Sequence, residues 1–256
     1  MPADRPFFSE AEIARRYARY RPKTHGAVID RVRPLLGALP KDAALDAACG
    51  TGDSSAPLRA IARRVVGIDA SAAMLAVARP LLDRAEVLRV EEADRLGETF
   101  DLVTVGLAFH WLDQAAAAST LKRVSRPGAF WLVYNFVFAG SFDDAPFDRW
   151  FRGRYLPAFP NPSRGALHAG ALACDSDLRL AAGESDDLEI RLDDDALAAY
   201  FTTQSNIEAA VRRGAGTCAE IEARLLAELR ALPAPGRYRY RYTLELFRFM
   251  PPGAPP

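Results

Sequence analysis

Cysteine is scarce in this chain of 256 residues: Cys49, Cys174 and Cys218 make an odd number with no Cys-x-x-Cys spacing. That pattern excludes a disulfide framework and a structural zinc site, and it fits a reducing compartment. Lysine is equally rare, with only Lys23, Lys41 and Lys122, so arginine supplies nearly all the positive charge, a bias that carries no mechanism of its own. Net charge is absent, because 33 basic and 33 acidic side chains cancel. A nucleic acid or an anionic membrane would therefore have to be attracted by a local patch, and neither is expected as a partner. No apolar run reaches the length of a membrane span; the longest, around residues 129 to 140, is broken by Asn135 and suits a buried strand. Residues 1 to 12 are charged and lack the apolar core of a secretory signal, so a cytoplasmic location is expected. The histidines His25, His110 and His168 are scattered and show no metal-binding spacing.

What is present is a chain with 50% hydrophobic and 26% charged residues, long enough to bury a sizeable core as one domain. Its first half alternates strand and helix, the pattern of a parallel sheet covered on both faces. Strands are expected at residues 43 to 48, 65 to 69, 86 to 90, 100 to 109 and 130 to 138. Helices are expected at 54 to 64, 71 to 78 with Ser71 as cap, and 113 to 124. Pro80 should end or kink the second helix, and Arg126-Pro127-Gly128 reads as a turn.

The second half breaks that rhythm. Residues 141 to 183 are rich in aromatics, Pro and Gly, including Phe147, Trp150, Phe151, Tyr155 and Phe159, and read as an insertion over one edge of the sheet. Two later segments alternate with period two and carry opposite charge: Asp187, Glu189 and Asp193 against Arg237, Arg239 and Arg241. An acidic row set against a basic row predicts antiparallel neighbours. Ile221, Leu225, Leu226 and Leu229 lie at helical spacing within residues 217 to 231, between them. The tail, residues 251 to 256, should fray.

One turn carries chemistry. The first strand ends in Asp46-Ala47-Ala48-Cys49-Gly50-Thr51-Gly52, where small residues let backbone approach a ligand closely. Asp69, at the tip of the next strand, stands where open α/β sheets put a carboxylate against ribose hydroxyls. A dinucleotide fingerprint would require a third glycine, and Ser55 occupies that position. Cys49 reads as a small buried filler.

These segments resemble the class I S-adenosylmethionine-dependent methyltransferases. The resemblance covers roughly residues 40 to 140 through Leu45 to Gly52, Gly67 to Leu75, Phe100-Asp101-Leu102-Val103 and Arg126-Pro127-Gly128. Tyr17 to Pro22, Phe109-His110-Trp111-Leu112-Asp113 and Thr203-Gln204-Ser205-Asn206 look like the trans-aconitate-methyltransferase-like subgroup. The implied fold is an α/β, Rossmann-like doubly wound sheet, mostly parallel with an antiparallel C-terminal strand, plus a helical cap insertion. A single domain is implied, with lid helices at 1–40, a cofactor core at 41–140, an acceptor cap at 141–183 and C-terminal strands and helix at 184–250. The implied cofactor is S-adenosylmethionine, leaving S-adenosylhomocysteine as product. By the resemblance, Asp46 and the turn through Ala48, Gly50 and Gly52 hold its methionine end. Asp69, beside Ala70, bonds the ribose, Met74 packs on the adenine, Glu92 and Ala93 bond the adenine edge, and Leu107 meets the cofactor amine. The family carries glycine where this chain has Ala48, which should narrow the floor of the site.

Methyl transfer from a sulfonium is an in-line displacement, so most acceleration comes from alignment and exclusion of water. A carboxylate acceptor needs no base, whereas a hydroxyl acceptor does, and a histidine is suited to that task. His110, just past the fourth strand, is the candidate, with a pocket-shaping role as the alternative. Trp111 reads mainly as a packing residue beside it. Tyr17, Tyr20 and Arg21 fall at helical spacing and, by the resemblance, fold over the cofactor, with Arg21 free to meet a carboxylate of cofactor or substrate. Trp150 and its aromatic neighbours form either a wall for the acceptor or a small core of the insertion. The expected activity is methyl transfer to a small molecule, with oxygen favoured. Its rivals are a methyltransferase-fold protein that binds the cofactor as sensor, scaffold or catalyst of another reaction, and a nicotinamide-dependent oxidoreductase, which Ser55 disfavours.

Overall fold

Short apolar runs punctuated by helical segments become seven strands in the computed structural model, which describes residues 10–163, 165, 170–233 and 235–253. The strands are β1 (Lys41–Ala47), β2 (Ala62–Asp69), β3 (Arg84–Val87), β4 (Phe100–Gly106), β5 (Ser125–Ser141), β6 (Leu178–Arg191) and β7 (Arg237–Phe249). They form one sheet in the order β3-β2-β1-β4-β5-β7-β6. The pairs β3-β2, β2-β1, β1-β4 and β4-β5 are parallel. The chain leaves β1 toward β2 on one side and returns to β4 on the other, so the order reverses between β1 and β4. In open α/β sheets that reversal opens a crevice beyond the carboxyl ends of the strands.

Beside these, β6 and β7 run antiparallel. Arg237 pairs with Glu189 at 2.6 Å and Arg241 with Asp187 at 2.7 Å, so one residue number rises as the other falls. This is the charge-matched pair of strands that the alternation predicts. The third arginine departs from the row: Arg239 donates to the carbonyl of Phe142 at 2.7 Å and lies over its ring. The tyrosines between them, Tyr238, Tyr240 and Tyr242, are buried.

Several expected bounds shift. The helix expected over 54 to 64 shrinks to Ser55–Leu58, because β2 begins at Ala62, where pairing with Lys41 outweighs helical spacing. The third strand lies at Arg84–Val87, not 86 to 90. Val90–Leu96 is instead a 3-10 segment whose Val90, Ala93 and Leu96, spaced by three, face the core. The fourth strand stops at Gly106 because Leu107 takes a left-handed φ of 56°, which no strand accommodates. Arg126-Pro127-Gly128 is not a separate turn. It enters the start of β5, absorbed by a register shift opposite Phe100 and Leu102. Asp101 makes sense of that segment: it accepts from the Ala43 N–H at 3.0 Å and from the Arg126 guanidinium at 2.9 Å, tying β1, β4 and β5 at their amino ends. Ser71 caps its helix by accepting from Met74 N, and Asp113 and Thr217 cap theirs likewise. His168, most of residues 1 to 12 and the end of the tail lie outside the described residues.

Contacts group the chain into two compact units. The first comprises Met1–Pro22, Phe136–Ser163 and Asp186–Arg241, the second Lys23–Asn135, Arg164–Ser185 and Tyr242–Pro256. The second unit is centred on the parallel strands, with Leu45, Val66, Ile68, Val103, Val105, Trp131 and Val133 among its buried residues. The first is held by aromatic rings. Phe138 lies 5.1 to 6.2 Å, centroid to centroid, from Phe151, Phe201, Tyr238, Tyr200 and Phe147. Trp150, Tyr155 and Phe159 of the insertion are buried as well, and Trp150 Nε1 donates to Glu228 at 2.8 Å. The insertion's rings thus join a core shared with Phe138, Phe201 and Tyr238, which lie outside it. Among the described residues no helix is long and apolar enough to cross a membrane.

Phe138→Ala should destabilise the protein by about 3–5 kcal/mol, since a ring in contact with five others leaves a cavity that cannot collapse. Urea unfolding monitored by circular dichroism reads this. A loss below about 1 kcal/mol, similar to that for Val137→Ala at the exposed neighbouring position, would contradict the assignment of Phe138 as the centre of the first unit.

Candidate active site

The turn after β1 is built from below by one carboxylate. Asp46 is fully buried and its Oδ2 accepts from the hydroxyls of Ser55 at 2.6 Å and Ser54 at 2.7 Å, while Oδ1 accepts from Thr104 of β4 at 3.0 Å. Asp46 and Thr104 are register partners, so the clamp closes the switch point between β1 and β4. Ser55 is thus committed to Asp46, which leaves no glycine where a pyrophosphate would need one. Burial pushes the Asp46 carboxyl up to about 6 even though the three hydroxyls hold it down.

Above this clamp the backbone is strained at two points. Ala48 has φ 59° and Leu107 φ 56°, left-handed values that cost a residue with a Cβ on the order of 1–2 kcal/mol. Both follow the carboxyl ends of strands adjoining the switch point. Leu107 N–H donates back to the carbonyl of Tyr134 at 2.9 Å. Gly50, at φ 54°, has nothing within 4 Å of where a Cβ would stand, so the turn presents open backbone. Beside it the Thr51 hydroxyl and one oxygen of Asp53 are buried without a hydrogen-bond partner among the described residues. An open glycine turn with orphaned polar atoms fits a ligand carrying both donors and acceptors, as the methionine end of S-adenosylmethionine does.

Asp69 ends β2 beside this turn. Its Oδ2 accepts from Gly50 N–H and its Oδ1 from Ser71 N–H, each at 2.8 Å. Burial raises its pKa, and the two backbone donors work against that rise. Met74 is buried in the helix that Ser71 caps, and Ala70 is exposed at the turn. Glu92 is engaged locally, accepting from Arg89 N–H at 3.3 Å and from Arg95 at 3.1 Å, while Ala93 is core. Burial, together with the charges of Asp46 and Asp69, lifts the Cys49 thiol well above its ordinary pKa, so it is no nucleophile.

His110 sits in the 3-10 segment Phe109–Trp111, buried, with its ring 4.9 Å from that of Trp111. Its carbonyl accepts from Gly165 N–H at 3.0 Å. The sequence reading did not foresee a second histidine pairing. His25 Nδ1 lies 2.7 Å from the Tyr134 hydroxyl, and both residues are buried. A Cβ on Gly106 would meet that hydroxyl at 2.7 Å, so the phenol rests directly on the end of β4. Nor does the sequence show that Ser54, Ser55 and Thr104 bond Asp46; the register of β4 against β1 brings Thr104 there, and the turn brings the two serines. Among the residues assigned to the acceptor, Trp111 belongs to the second unit, and Tyr17, Tyr20, Arg21 and Trp150 to the first.

Residues 45–133 match a family described as "Methyltransferase domain", the stretch from β1 through the Asp46 clamp to β5. Over that stretch the chain is similar to a methyltransferase domain. The fold recurs in a solved structure, a candidate type II methyltransferase from Anaeromyxobacter dehalogenans, which is 25% identical with a TM-score of 0.62, covering 86% of this chain and 94% of that one. Among curated proteins, malonyl-[acyl-carrier protein] O-methyltransferase of Yersinia pestis is 34% identical over 103 residues, 39% of this chain and 38% of that protein. Demethylmenaquinone methyltransferase of Beutenbergia cavernae is 35% identical over 146 residues, 55% of this chain and 58% of that one. Trans-aconitate 2-methyltransferase of an Azoarcus species is 38% identical over 103 residues, 38% of this chain and 41% of that one. The chain spans less than two thirds of the length of each of these three relatives. The sheet, mostly parallel with its C-terminal strands antiparallel, is Rossmann-like, as the sequence implied.

Two measurements bear on this geometry. Because the folded pKa of Asp46 lies above its unfolded value, the fold favours the protonated form. Its contribution to stability is complete below about pH 4 and is lost as pH rises through about 6, a swing of about 2–3 kcal/mol. Asp46→Asn should flatten the stability profile between pH 4 and 7, read by urea unfolding; an unchanged slope would contradict the burial assigned to Asp46. Ala48→Gly should raise stability by about 0.5–1 kcal/mol, the relieved strain exceeding the entropy gained by the unfolded chain. A lower melting temperature in scanning calorimetry would show that Ala48 is not strained.

Proposed function

We propose that this protein transfers the methyl group of S-adenosylmethionine to an oxygen of a small-molecule acceptor, as a single domain of the trans-aconitate-methyltransferase-like subgroup. The observation that carries the reading is the open Gly50 turn flanked by the Asp69 carboxylate at the reversal of strand order, a cradle suited to an amino-acid end beside a ribose. When bound, the cofactor supplies an electrophilic methyl carbon.

The chain's own residues supply position. The turn from Ala48 through Gly52 offers backbone donors to a carboxylate, Asp69 takes ribose hydroxyls on the lone pairs left by Gly50 and Ser71, and Met74 borders the adenine with Glu92 and Ala93 at its edge. Leu107, turned out of β4 by its left-handed backbone, directs its carbonyl to an amine. His110 receives the proton of a hydroxyl acceptor. With a carboxylate acceptor no base is required, and the histidine then shapes the pocket. Oxygen is favoured because one relative is named as an O-methyltransferase and the trans-aconitate relative is named for an acidic substrate, while the demethylmenaquinone relative marks the alternative.

Isothermal titration with S-adenosylhomocysteine is the first test. Binding to the wild type is expected, with Asp69→Asn at least about tenfold weaker because a charged acceptor is lost. No binding, or equal affinity in the variant, would overturn the cofactor assignment. Incubation of labelled donor with a panel of hydroxyl and carboxylate compounds then reads the acceptor. His110→Gln should cut turnover of a hydroxyl acceptor by about 10²-fold or more and leave a carboxylate acceptor nearly unchanged; full activity on a phenol would remove His110 as base.

A further inference from the structure

The buried pair of His25 and Tyr134, which the methyl-transfer reading leaves without a task, lies wholly in the second unit. Tyr134 stands in β5 opposite Gly106 of β4, and a Cβ on that glycine would meet both Cζ and Oη of the phenol at 2.7 Å. Glycine at 106 is therefore what lets the ring cross from its own strand to the carboxyl end of β4. Side chains alternate along a strand, so position 106 shares its face with Thr104, and Thr104 with its register partner Asp46. The phenol thus covers the same face as the Asp46 clamp, one pleat nearer the crevice. Its backbone is tied to the same place, because the Tyr134 carbonyl accepts from Leu107 N–H at 2.9 Å and holds the left-handed residue that ends β4.

Orientation comes from His25, the first residue of the helix His25–Val32. Its Nδ1 lies 2.7 Å from Tyr134 Oη, and the two rings meet edge to face with centroids 5.6 Å apart. A phenol has one proton. Once that proton is given to Nδ1, the oxygen offers any further neighbour lone pairs alone, beside a ring face that is itself negative. Such a surface suits a bulky cation, as aromatic cages suit quaternary ammonium groups. The acids of the crevice are engaged elsewhere. Both oxygens of Asp46 accept from hydroxyls, and Asp69 ends β2, on the far side of β1 from β4, where it holds Gly50 and Ser71.

We propose that Tyr134, oriented by His25, recognises the sulfonium charge of the methyl donor and so distinguishes the donor from its neutral product. This deepens the methyl-transfer reading and rests on it, since that reading assigns the donor's amine to Leu107, the residue after Gly106, and its ribose to Asp69. The sulfur is joined to the amine-bearing carbon through two methylenes and to the ribose on its other side, so it belongs between those two anchors. Transfer breaks the bond from methyl carbon to sulfur and leaves the electron pair on sulfur. The product is then an uncharged thioether, the attraction to Tyr134 is gone, and exchange for fresh donor is favoured. Tyr134 is a recognition residue and His25 a positioning residue.

Titration calorimetry on the full chain tests this with S-adenosylmethionine and sinefungin, which carry a positive charge at that position, and S-adenosylhomocysteine, which does not. Tyr134→Phe keeps the ring and removes the oxygen. It should weaken the two charged probes by about threefold to tenfold relative to S-adenosylhomocysteine, and Tyr134→Leu, which removes the ring as well, by about tenfold to thirtyfold. His25→Asn retains an acceptor for the phenol and should keep the wild-type ratio, whereas His25→Leu should lose it as Tyr134→Phe does. In the wild type, the carbon-13 resonance of Tyr134 Cζ should move further with either charged probe than with S-adenosylhomocysteine, a reading that needs no variant to fold. The proposal is overturned if charged and neutral probes lose affinity alike in the folded Tyr134 variants, if His25→Asn and His25→Leu share one ratio, or if all three probes move the resonance equally. Binding of none of the three would remove the methyl-transfer reading and this proposal with it, whereas binding of all three at an unchanged ratio removes this proposal alone.

Discussion

One buried carboxylate organises the ligand end of the sheet. Asp46 sits where β1 gives way to the glycine turn, and it takes hydroxyls from the turn and from β4 together. A buried acid is costly unless it is satisfied, and three donors are what this one has. The strand order reverses at this pair of strands, so the bonds that satisfy the acid also hold the two lips of the crevice in register. Left-handed backbone at Ala48 and Leu107 persists because the surroundings over-determine it: Cys49 N–H is bonded to Ile68, Leu107 N–H to Tyr134, and the turn to Asp46 below.

The two units divide the polar work differently. In the second, acids are held by hydroxyls and backbone N–H groups, as at Asp46 and Asp69, and the open backbone lies next to them. In the first, aromatic rings do the burying, and Arg21 lies against the rings of Tyr17 and Tyr200. The arrangement in the second unit suits a ligand rich in hydroxyls and amines. A chain of zero net charge therefore contains sharply polarised local sites, and its composition conceals them.

Much of the sheet was legible because period and punctuation agree with tertiary packing. The alternation at Arg237, Arg239 and Arg241 against Asp187 and Glu189 predicted two strands and their pairing, and the ion pairs at Arg237 and Arg241 follow it. The errors lie where local signal and sheet pairing compete. Residues 54 to 64 have helical spacing, yet backbone pairing with β1 claims the residues from Ala62 onward. Arg126-Pro127-Gly128 carries every local mark of a turn, but the Asp101 carboxylate draws Arg126 into the start of β5.

The sequence by itself determined the order of strands and helices, the glycine turn after β1, the acid at the tip of β2 and the lack of a third glycine at Ser55. Each of these is written in residue type and short-range spacing, which local sterics and period read directly. Only the tertiary structure decided which groups answer one another: Thr104 to Asp46 and His25 to Tyr134, residues separated by 58 and 109 positions respectively. Nothing local distinguishes a serine that bonds a buried acid from one that faces water. That distinction is made by burial and by hydrogen-bond geometry, and both exist only once the strands are in register.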